Sequence, residues 1–573
     1  MMQKFRNVLI GCFVLLVGGL LLIGAPVNAQ TCGVSQPPQL VSVALDGTPG
    51  GVGELAETSI SADGRYIAFT SPGNNLVAGD TNQARDVFLR DIIQDTTQRV
   101  SVGTNELQAN DDSDKPSLSG NGNLVAFESH AFNLVAGDRT DDCTPSVDAS
   151  WCADVFVYNR QTKAVNLVSA AWNSSLPAGN SHDPIISDDG RYVAFYSAVD
   201  NLVADDTNNT TDVFVRDLTT GTTERISISS TGAEGNKASL NPMGISWDGR
   251  YVTFESFASN LVENDNNIQC DYPRWGDFEC QDVFIHDRLT HQTKRVSVAS
   301  DGTEANGSSW NHSLSPDGQY VSFTSNATNL VAGTPDSDWR IYVHNLAAGT
   351  TQLASVGSGL TDASATYPSL SYYGRYLAFT GAGGLVFVVH DSWTGQNLLV
   401  SNGLDSQPVN GDSRYPMISV NGRYVAFWSF ASNLIPGDTN NEGDIFVAAL
   451  DCPADVSPEP TEEPTPEVTP TEEVTPQPTQ PPNATPVRNY YQTSTLTLTW
   501  NRIPWAAQYR IQVDTDKAFQ PEFIVNELVG ADQLEKTLTG LNPNTYYWRV
   551  QALNANGKAG GWSMVESFVV GYE

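Results

Sequence analysis

Between residues 39 and 451 the chain is built from short runs in which apolar and polar positions alternate, each run closed by Gly, Asp, Asn or Ser. A period of two predicts β-strands rather than helices. In one stretch Pro184-Ile185-Ile186-Ser187 reads as a first, inner strand, Asp189-Gly190 as a tight hairpin turn and Arg191 to Ser197 as the second strand. Asp212 to Asp217 reads as the third, and Thr223 to Ser229, after the Thr219-Thr220-Gly221-Thr222 turn, as the fourth. The same order returns seven times. Its marker is a polar residue, Gly, often Arg, and Tyr, with the glycines at 64, 122, 190, 249, 318, 374 and 422. Repeats of this size made of four short strands predict one sheet each, and hence an all-β, seven-bladed β-propeller over residues 31–452.

The ends of the array predict how it closes. The last repeat stops after its third strand, at Val447-Ala448-Ala449-Leu450. Ahead of the first repeat, Leu40-Val41-Ser42-Val43-Ala44 matches the fourth-strand phrase Arg295-Val296-Ser297-Val298-Ala299. An N-terminal strand is therefore expected to complete the seventh sheet and remove the open edges. Cys32 and Cys452 bracket the array, whereas Cys143 with Cys152 and Cys270 with Cys280 each fall within one long loop. Three disulfides in those pairings are expected, two of them stapling surface loops.

Beyond the array, residues 453–486 turn to Pro, Thr and Glu, a composition that builds an extended linker rather than a core. Residues 487–573 alternate again, as in Tyr509-Arg510-Ile511-Gln512-Val513, and read as a C-terminal immunoglobulin-like β-sandwich. At the other end, Lys4 and Arg6 precede an apolar run from Val8 to Ile23 and small residues up to Ala29. Residues 1–29 therefore read as a secretory signal peptide, too short for a membrane span, which needs about 20 apolar residues. The rival is a lipoprotein box at Leu9-Ile10-Gly11-Cys12, with few apolar residues ahead of it. The expected location is extracellular or the cell surface, with no membrane span in the mature chain. The net charge of −35 (30 basic, 65 acidic residues) argues against nucleic acid and anionic lipid as partners.

Two phrases carry a resemblance. Ser61 to Phe69 (Ser-x-Asp-Gly-Arg-Tyr-x-Ala-Phe) and Asp86 to Asp91 (Asp-Val-Phe-x-x-Asp), repeated in phase, resemble the TolB-like, WD-like propeller family. The best-known members have six blades, and seven copies depart from that. Residues 489–570 resemble a fibronectin type III domain, carried by Trp500 and by Leu541-x-Pro543-x-Thr545-x-Tyr547 ahead of Trp548. Neither resemblance implies one activity.

Chemistry is concentrated in two patterns. Asp80, Asn82 and Asp86, then Asp206, Asn208 and Asp212, then Asp438, Asn440 and Asp444 each give Asp-x-Asn-x-x-x-Asp between second and third strands. Oxygen ligands at alternating positions of a tight loop suit calcium, although the invariant Gly and terminal Glu of a hand-type loop are missing. The rival is plain turn capping by Asp and Asn, and the second Asp recurs alone at Asp154 and Asp282. The other pattern precedes the inner strands: Glu57, Asp114 with Lys115, His182 with Asp183, Asn241, Asn311 with His312, Tyr367, and Arg414 with Tyr415. These positions differ from copy to copy, as a ligand-binding rim round a channel requires, and a solvated funnel is the rival. His286, His344 and His390 share one repeat position and read as structural surface residues. No nucleophile elbow, zincin helix or phosphate loop is present, so no catalytic residue is assigned.

The leading reading is a secreted, non-enzymatic binding or scaffold protein whose propeller face takes a glycan, envelope polymer or protein. The alternative is an extracellular carbohydrate-active lyase or hydrolase in the channel mouth, around Glu57, His182, Asp183 and His312. A purely structural surface component tethered through the sandwich is a third.

Overall fold

The computed structural model describes residues 32–453 apart from 54–56, 137–152, 173–179, 267–269, 273–275, 279, 335–337, 356–363 and 382–386, together with stretches of 490–570. Residues 1–31 with the expected signal peptide, Cys143, Cys152, Trp500, Leu541, Pro543 and residues 454–489 with the expected linker lie outside the described residues. The chain divides into two compact units, Met1–Glu459 and Pro460–Glu573.

In the first unit the described residues form seven four-stranded antiparallel sheets in a propeller-like ring. The first strands are Thr58–Ile60, Ser113–Leu118, Ser181–Ile186, Ser239–Ile245, Ser309–Leu314, Thr366–Leu370 and Ser413–Ile418. Each touches the first strand of the next sheet, and the seventh returns to the first. The third sheet is representative: Ser181–Ile186, Tyr192–Ser197, Asp212–Asp217 and Thr222–Arg225, in that order. Its inner strand starts earlier, and its fourth ends sooner, than the alternation predicts. The seventh sheet takes its outer strand from the N-terminus: Gln39 pairs with Val447 and Leu40 with Phe446. Cys32 and Cys452, 420 residues apart, are joined by a disulfide across that seam.

The repeated phrase explains itself in this setting. The turn glycines adopt positive φ, and a Cβ on six of them would strike the second-strand tyrosine of the preceding sheet: 2.1 Å at Gly64 from Tyr424, 2.4 Å at Gly122 from Tyr66, 2.2 Å at Gly249 from Tyr192. Gly therefore serves two needs, a left-handed turn and a seat for the neighbouring ring. The turn Asp caps its own hairpin, as Asp189 Oδ1 does by accepting from Ser187 Oγ (2.5 Å) and Arg191 N (2.9 Å). The arginine lies over its adjacent tyrosine and pairs with the third-strand end: Arg65–Asp91 2.7 Å, Arg191–Asp217 2.8 Å, Arg250–Asp287 2.7 Å. Backbone hydrogen bonds then link turn to turn, from Ala62 to Gly120, on through the other turns, and from Asn421 back to Ala62.

Second and third strands are covered on both faces, because sheets stack on either side of them. Their aromatic pairs, Phe69–Phe88 (5.7 Å), Phe195–Phe214 (6.0 Å) and Phe427–Phe446 (5.7 Å) among them, form the core of six sheets, and in the sixth Phe379 stands opposite Val388 in the ladder. This stacking corrects one expectation. His286, His344 and His390 are buried, with 2%, 6% and 7% exposure, rather than on the surface. Each ring nitrogen Nδ1 bonds a fourth-strand side chain, Thr293 (2.8 Å), Thr351 (2.9 Å) or Asn397 (2.8 Å). In the first two, that threonine is itself tied to the previous sheet through Ile228 or Val298. The long loop of the fourth sheet carries a hairpin of Cys270–Tyr272 with Gly276–Phe278, and Cys280 is disulfide-bonded.

The second unit is also all-β. One sheet runs Tyr490–Tyr491, Glu566–Val570, Asn544–Leu553, Gln508–Asp514, Val525–Gly530, with Ala559–Trp562 also beside Asn544–Leu553. Leu496–Thr499 pairs with Glu535–Leu538 in a second. Tyr509, Ile511, Val513, Trp548 and Val550 are fully buried at alternate positions.

Candidate functional site

The starts of the seven first strands surround a cavity of about 380 Å³, lined from each sheet by a short consecutive run. Leading those runs are Glu57, Lys115, Asp183, Asn241, Asn311, Tyr367 and Tyr415. In five sheets the next residue is proline, at 116, 184, 242, 368 and 416. These are inner edge strands, where a residue without an N–H leaves no ladder bond unmade. Six of the seven leading residues sit in the left-handed region, from φ 44° at Asn311 to 57° at Tyr367. The register of the first two strands shifts at the same place in those six sheets. A bulge re-aims a side chain, and left-handed backbone on a non-glycine costs about 1–3 kcal/mol, a pairing concentrated at functional sites.

The ring is asymmetric in chemistry. Lys115 Nζ bonds Glu57 Oε1 and lies 3.2 Å from Asp183 Oδ1. Behind them Glu128, buried on a second strand, accepts from the Asp183 N–H (2.8 Å) and faces His182 Nδ1 at 3.6 Å. Across the ring, fully buried Glu255 accepts from the Asn311 N–H (2.7 Å), Asn241 Nδ2 (2.8 Å) and Gln281 Nε2 (2.6 Å), with His312 Nδ1 at 3.5 Å. Tyr367 and Tyr415 meet edge to face, 4.6 Å between centroids.

These contacts set the charges. Desolvation by the channel wall pushes Glu57 up to about 7 despite Lys115, although 36% of its side chain stays accessible. Burial raises Asp183 as well, against the pull of Lys115. Burial also works against ionised Glu128, but His182, the Asp183 N–H and Lys115 together hold it below the usual carboxylate range. Lys115 is held charged: burial opposes it, and Asp183 and Glu57 more than compensate. Asp114 is raised by burial to about 6 beside Arg85, 2.7 Å away.

Of the rim residues read from sequence, Glu57, Asp183, Asn311, His312 and Tyr367 line the cavity, as do Lys115, Asn241 and Tyr415. Asp114, His182 and Arg414 are not among the lining residues; each precedes the bulge and turns to other partners, Arg85, Glu128 and Asp412. His182 and His312 are not brought to one site: each has its own glutamate. Sequence reasoning missed Glu128 and Glu255, although a signal existed. They occupy the second-strand position that varies most in chemistry, where other copies carry Thr70, Tyr196, Thr324, Thr380 and Trp428.

In the Asp-x-Asn loops, Asn82 Nδ2 donates to Asp86 Oδ2 (3.0 Å), Asn208 to Asp212 (2.7 Å) and Asn440 to Asp444 (2.8 Å). In the first and third sheets an arginine closes the pair: Arg99 Nη1 lies 3.1 Å from Asp80 and 3.5 Å from Asp86, and Arg225 Nη1 lies 3.0 Å from Asp206 and 3.7 Å from Asp212. Asp265, Asp282 and Glu304 of the fourth sheet form the one acidic group of metal-ligating spacing among the described residues, and Arg295 stands in its middle, 2.9–3.3 Å from each.

No family model and no curated protein matches the chain. Among solved structures it is similar to an oligogalacturonate lyase in complex with manganese (13% identity, 69% of this chain and 88% of that one, TM-score 0.41). It is also similar to an oligogalacturonate lyase from Vibrio parahaemolyticus (12%, 74% and 98%, 0.42) and a putative TolB from Agrobacterium tumefaciens (13%, 62% and 95%, 0.33). Likenesses this distant assign neither ligand nor activity.

Proposed function

We propose that this chain is a secreted binding protein: a seven-bladed propeller whose channel mouth takes a segment of an extracellular glycan, joined by an extended linker to a fibronectin type III-like sandwich. The observation that carries the reading is the ring of seven side chains of mixed chemistry (acids, a lysine, amides and tyrosines), one per sheet, each presented near the start of an inner strand. Paired tyrosines offer edges and faces to a sugar ring, while amides and carboxylates meet hydroxyls. Carboxylates outnumber the single ring lysine, which favours neutral sugars over anionic polymers. The test is calorimetry of the full chain against neutral and uronic-acid oligosaccharides, repeated with Tyr415→Ala and Asp183→Asn. Binding of neutral sugars lost in both variants supports the reading; equal heats from all three proteins, or none from any sugar, end it.

A second reading, an extracellular carbohydrate-active enzyme, draws on one observation: Glu57, pushed up to about 7, stands close to Asp183 on the other side of Lys115. A carboxyl that keeps its proton near neutrality suits a general acid. The proton is present below about pH 7 and lost above it, so turnover would fall as pH rises through 7 and vanish in Glu57→Gln. Absence of new reducing or unsaturated ends after prolonged incubation removes this reading.

A further inference from the structure

The loop between second and third strands recurs with its counter-charge in three sheets and without it in the seventh. In the first, third and fourth sheets the fourth-strand arginine that neutralises the loop has a fixed register: Arg99 lies opposite Phe88, Arg225 opposite Phe214 and Arg295 opposite Phe284. In the seventh sheet the residue opposite the corresponding Phe446 is Leu40, contributed by the N-terminal strand. The acids have not gone with the arginine. Asp444 is fully buried and Asp438 is 8% exposed. Asp444 Oδ1 accepts from Ser42 Oγ (2.6 Å) and the Gly51 N–H (3.2 Å), and Oδ2 from Asn440. Asp438 Oδ1 is buried with no hydrogen-bond partner.

A buried carboxylate oxygen without a partner, beside a second buried carboxylate, is costly unless a cation joins it. We propose that the seventh sheet binds a hard divalent cation of the calcium class between Asp438 and Asp444, at the position that arginine fills in the first, third and fourth sheets. Hard oxygen donors suit that ion. Only two carboxylates come from the chain, so water and backbone carbonyls complete the shell, and the affinity belongs with extracellular modules, with Kd of roughly 10⁻⁴–10⁻³ M. The site ties the third strand of the seventh sheet to the N-terminal segment through Ser42 and Gly51, so the bound ion reinforces the seam that Cys32–Cys452 also closes.

The experiment is a thermal melt and calorimetric titration of the full chain with calcium chloride, with magnesium chloride and matched sodium chloride alongside. Wild type should show saturable binding and an upward melting shift that chelator reverses. Asp438→Asn should lose the calcium response while melting no lower than chelated wild type. Leu40→Arg, which restores the guanidinium, should also lose it. Asp80→Asn and Asp206→Asn should keep it. No saturable calcium response in wild type overturns the proposal, as does a response that survives Asp438→Asn or disappears in the Asp80 and Asp206 variants.

Discussion

At the turn end of each first strand the residues repeat, and at the cavity end they diverge. Six turn glycines face a tyrosine from the sheet before, and the Arg–Asp pairs recur with nearly one geometry. The leading residues at the cavity are an acid, a lysine, another acid, two asparagines and two tyrosines. The repeated end holds sheet to sheet, where every sheet faces the same mechanical task and the same residues answer it. The divergent end faces one shared space, which seven identical groups would fill with one chemistry only. Side chains that vary within an otherwise constant repeat therefore mark the surface facing the cavity.

If that division holds, damage to the holding end lowers stability, and damage to the cavity end leaves stability alone. The largest effect is expected at the seam. Replacing Cys32 and Cys452 by serine opens a loop of 420 residues, which in the chain-entropy model removes up to about 6 kcal/mol. A melt of the double variant should show a large drop, and an unchanged midpoint would mean that the seventh sheet closes without its disulfide. Next comes Gly249→Ala, where φ is +70° and the new Cβ would lie 2.2 Å from Tyr192. A loss of about 3 kcal/mol by denaturant titration is expected from backbone strain and overpacking. Gly232→Ala, at φ +84° with open space around it, should cost less.

A smaller effect is a pH dependence. The hydrogen bond from Arg191, foremost, holds Asp217 down to about 2. At Asp287 burial pushes the other way, but Arg250 and local hydrogen bonds bring it to about 2 as well. Their native values lie below the unfolded one, so the stability they contribute is complete above about pH 4 and lost as pH falls toward 2. Acid titration of Arg191→Ala and Arg250→Ala should show a shallower decline across that window than wild type. The smallest effect on stability is expected at the cavity. Asp183→Asn should melt within about 1 kcal/mol of wild type, because the change is isosteric and Lys115 keeps its bond to Glu57, yet weaken glycan binding at least about tenfold. A large melting loss there would break the comparison, because the ring would then be holding the fold together.

Much of this organisation was legible in the chain. The Asp-Gly-Arg-Tyr phrase announced the hairpin turns, because Asp caps and Gly permits the left-handed corner whatever the surroundings. The match of Leu40-Val41-Ser42 to the fourth-strand phrase announced the closing strand, and Ser42 takes the same aspartate contact that Ser101 and Ser227 take elsewhere. His286, His344 and His390 were misjudged, because their burial comes from the neighbouring sheet, whose position no local pattern records. Asp114 and His182 were grouped with the rim for a similar reason: a bulge separates residues that adjoin in sequence, and alternation alone does not say on which side of it a side chain falls.

The sequence by itself determined the strands, their fourfold grouping, the sevenfold repetition and the pairing of Cys32 with Cys452, since these follow from local periodicity, turn chemistry and counting. Only the tertiary structure decided which polar residues share a space. Lys115 joins Glu57 to Asp183, Glu255 gathers Asn241, Asn311 and Gln281, and Leu40 stands opposite Phe446 where, in their own sheets, Arg99 reaches Asp80 and Arg225 reaches Asp206. These partners lie roughly fifty or more residues apart, or across a register that the fold sets. Electrostatic and hydrogen-bond energies depend on distance and burial in space, which one-dimensional order does not carry.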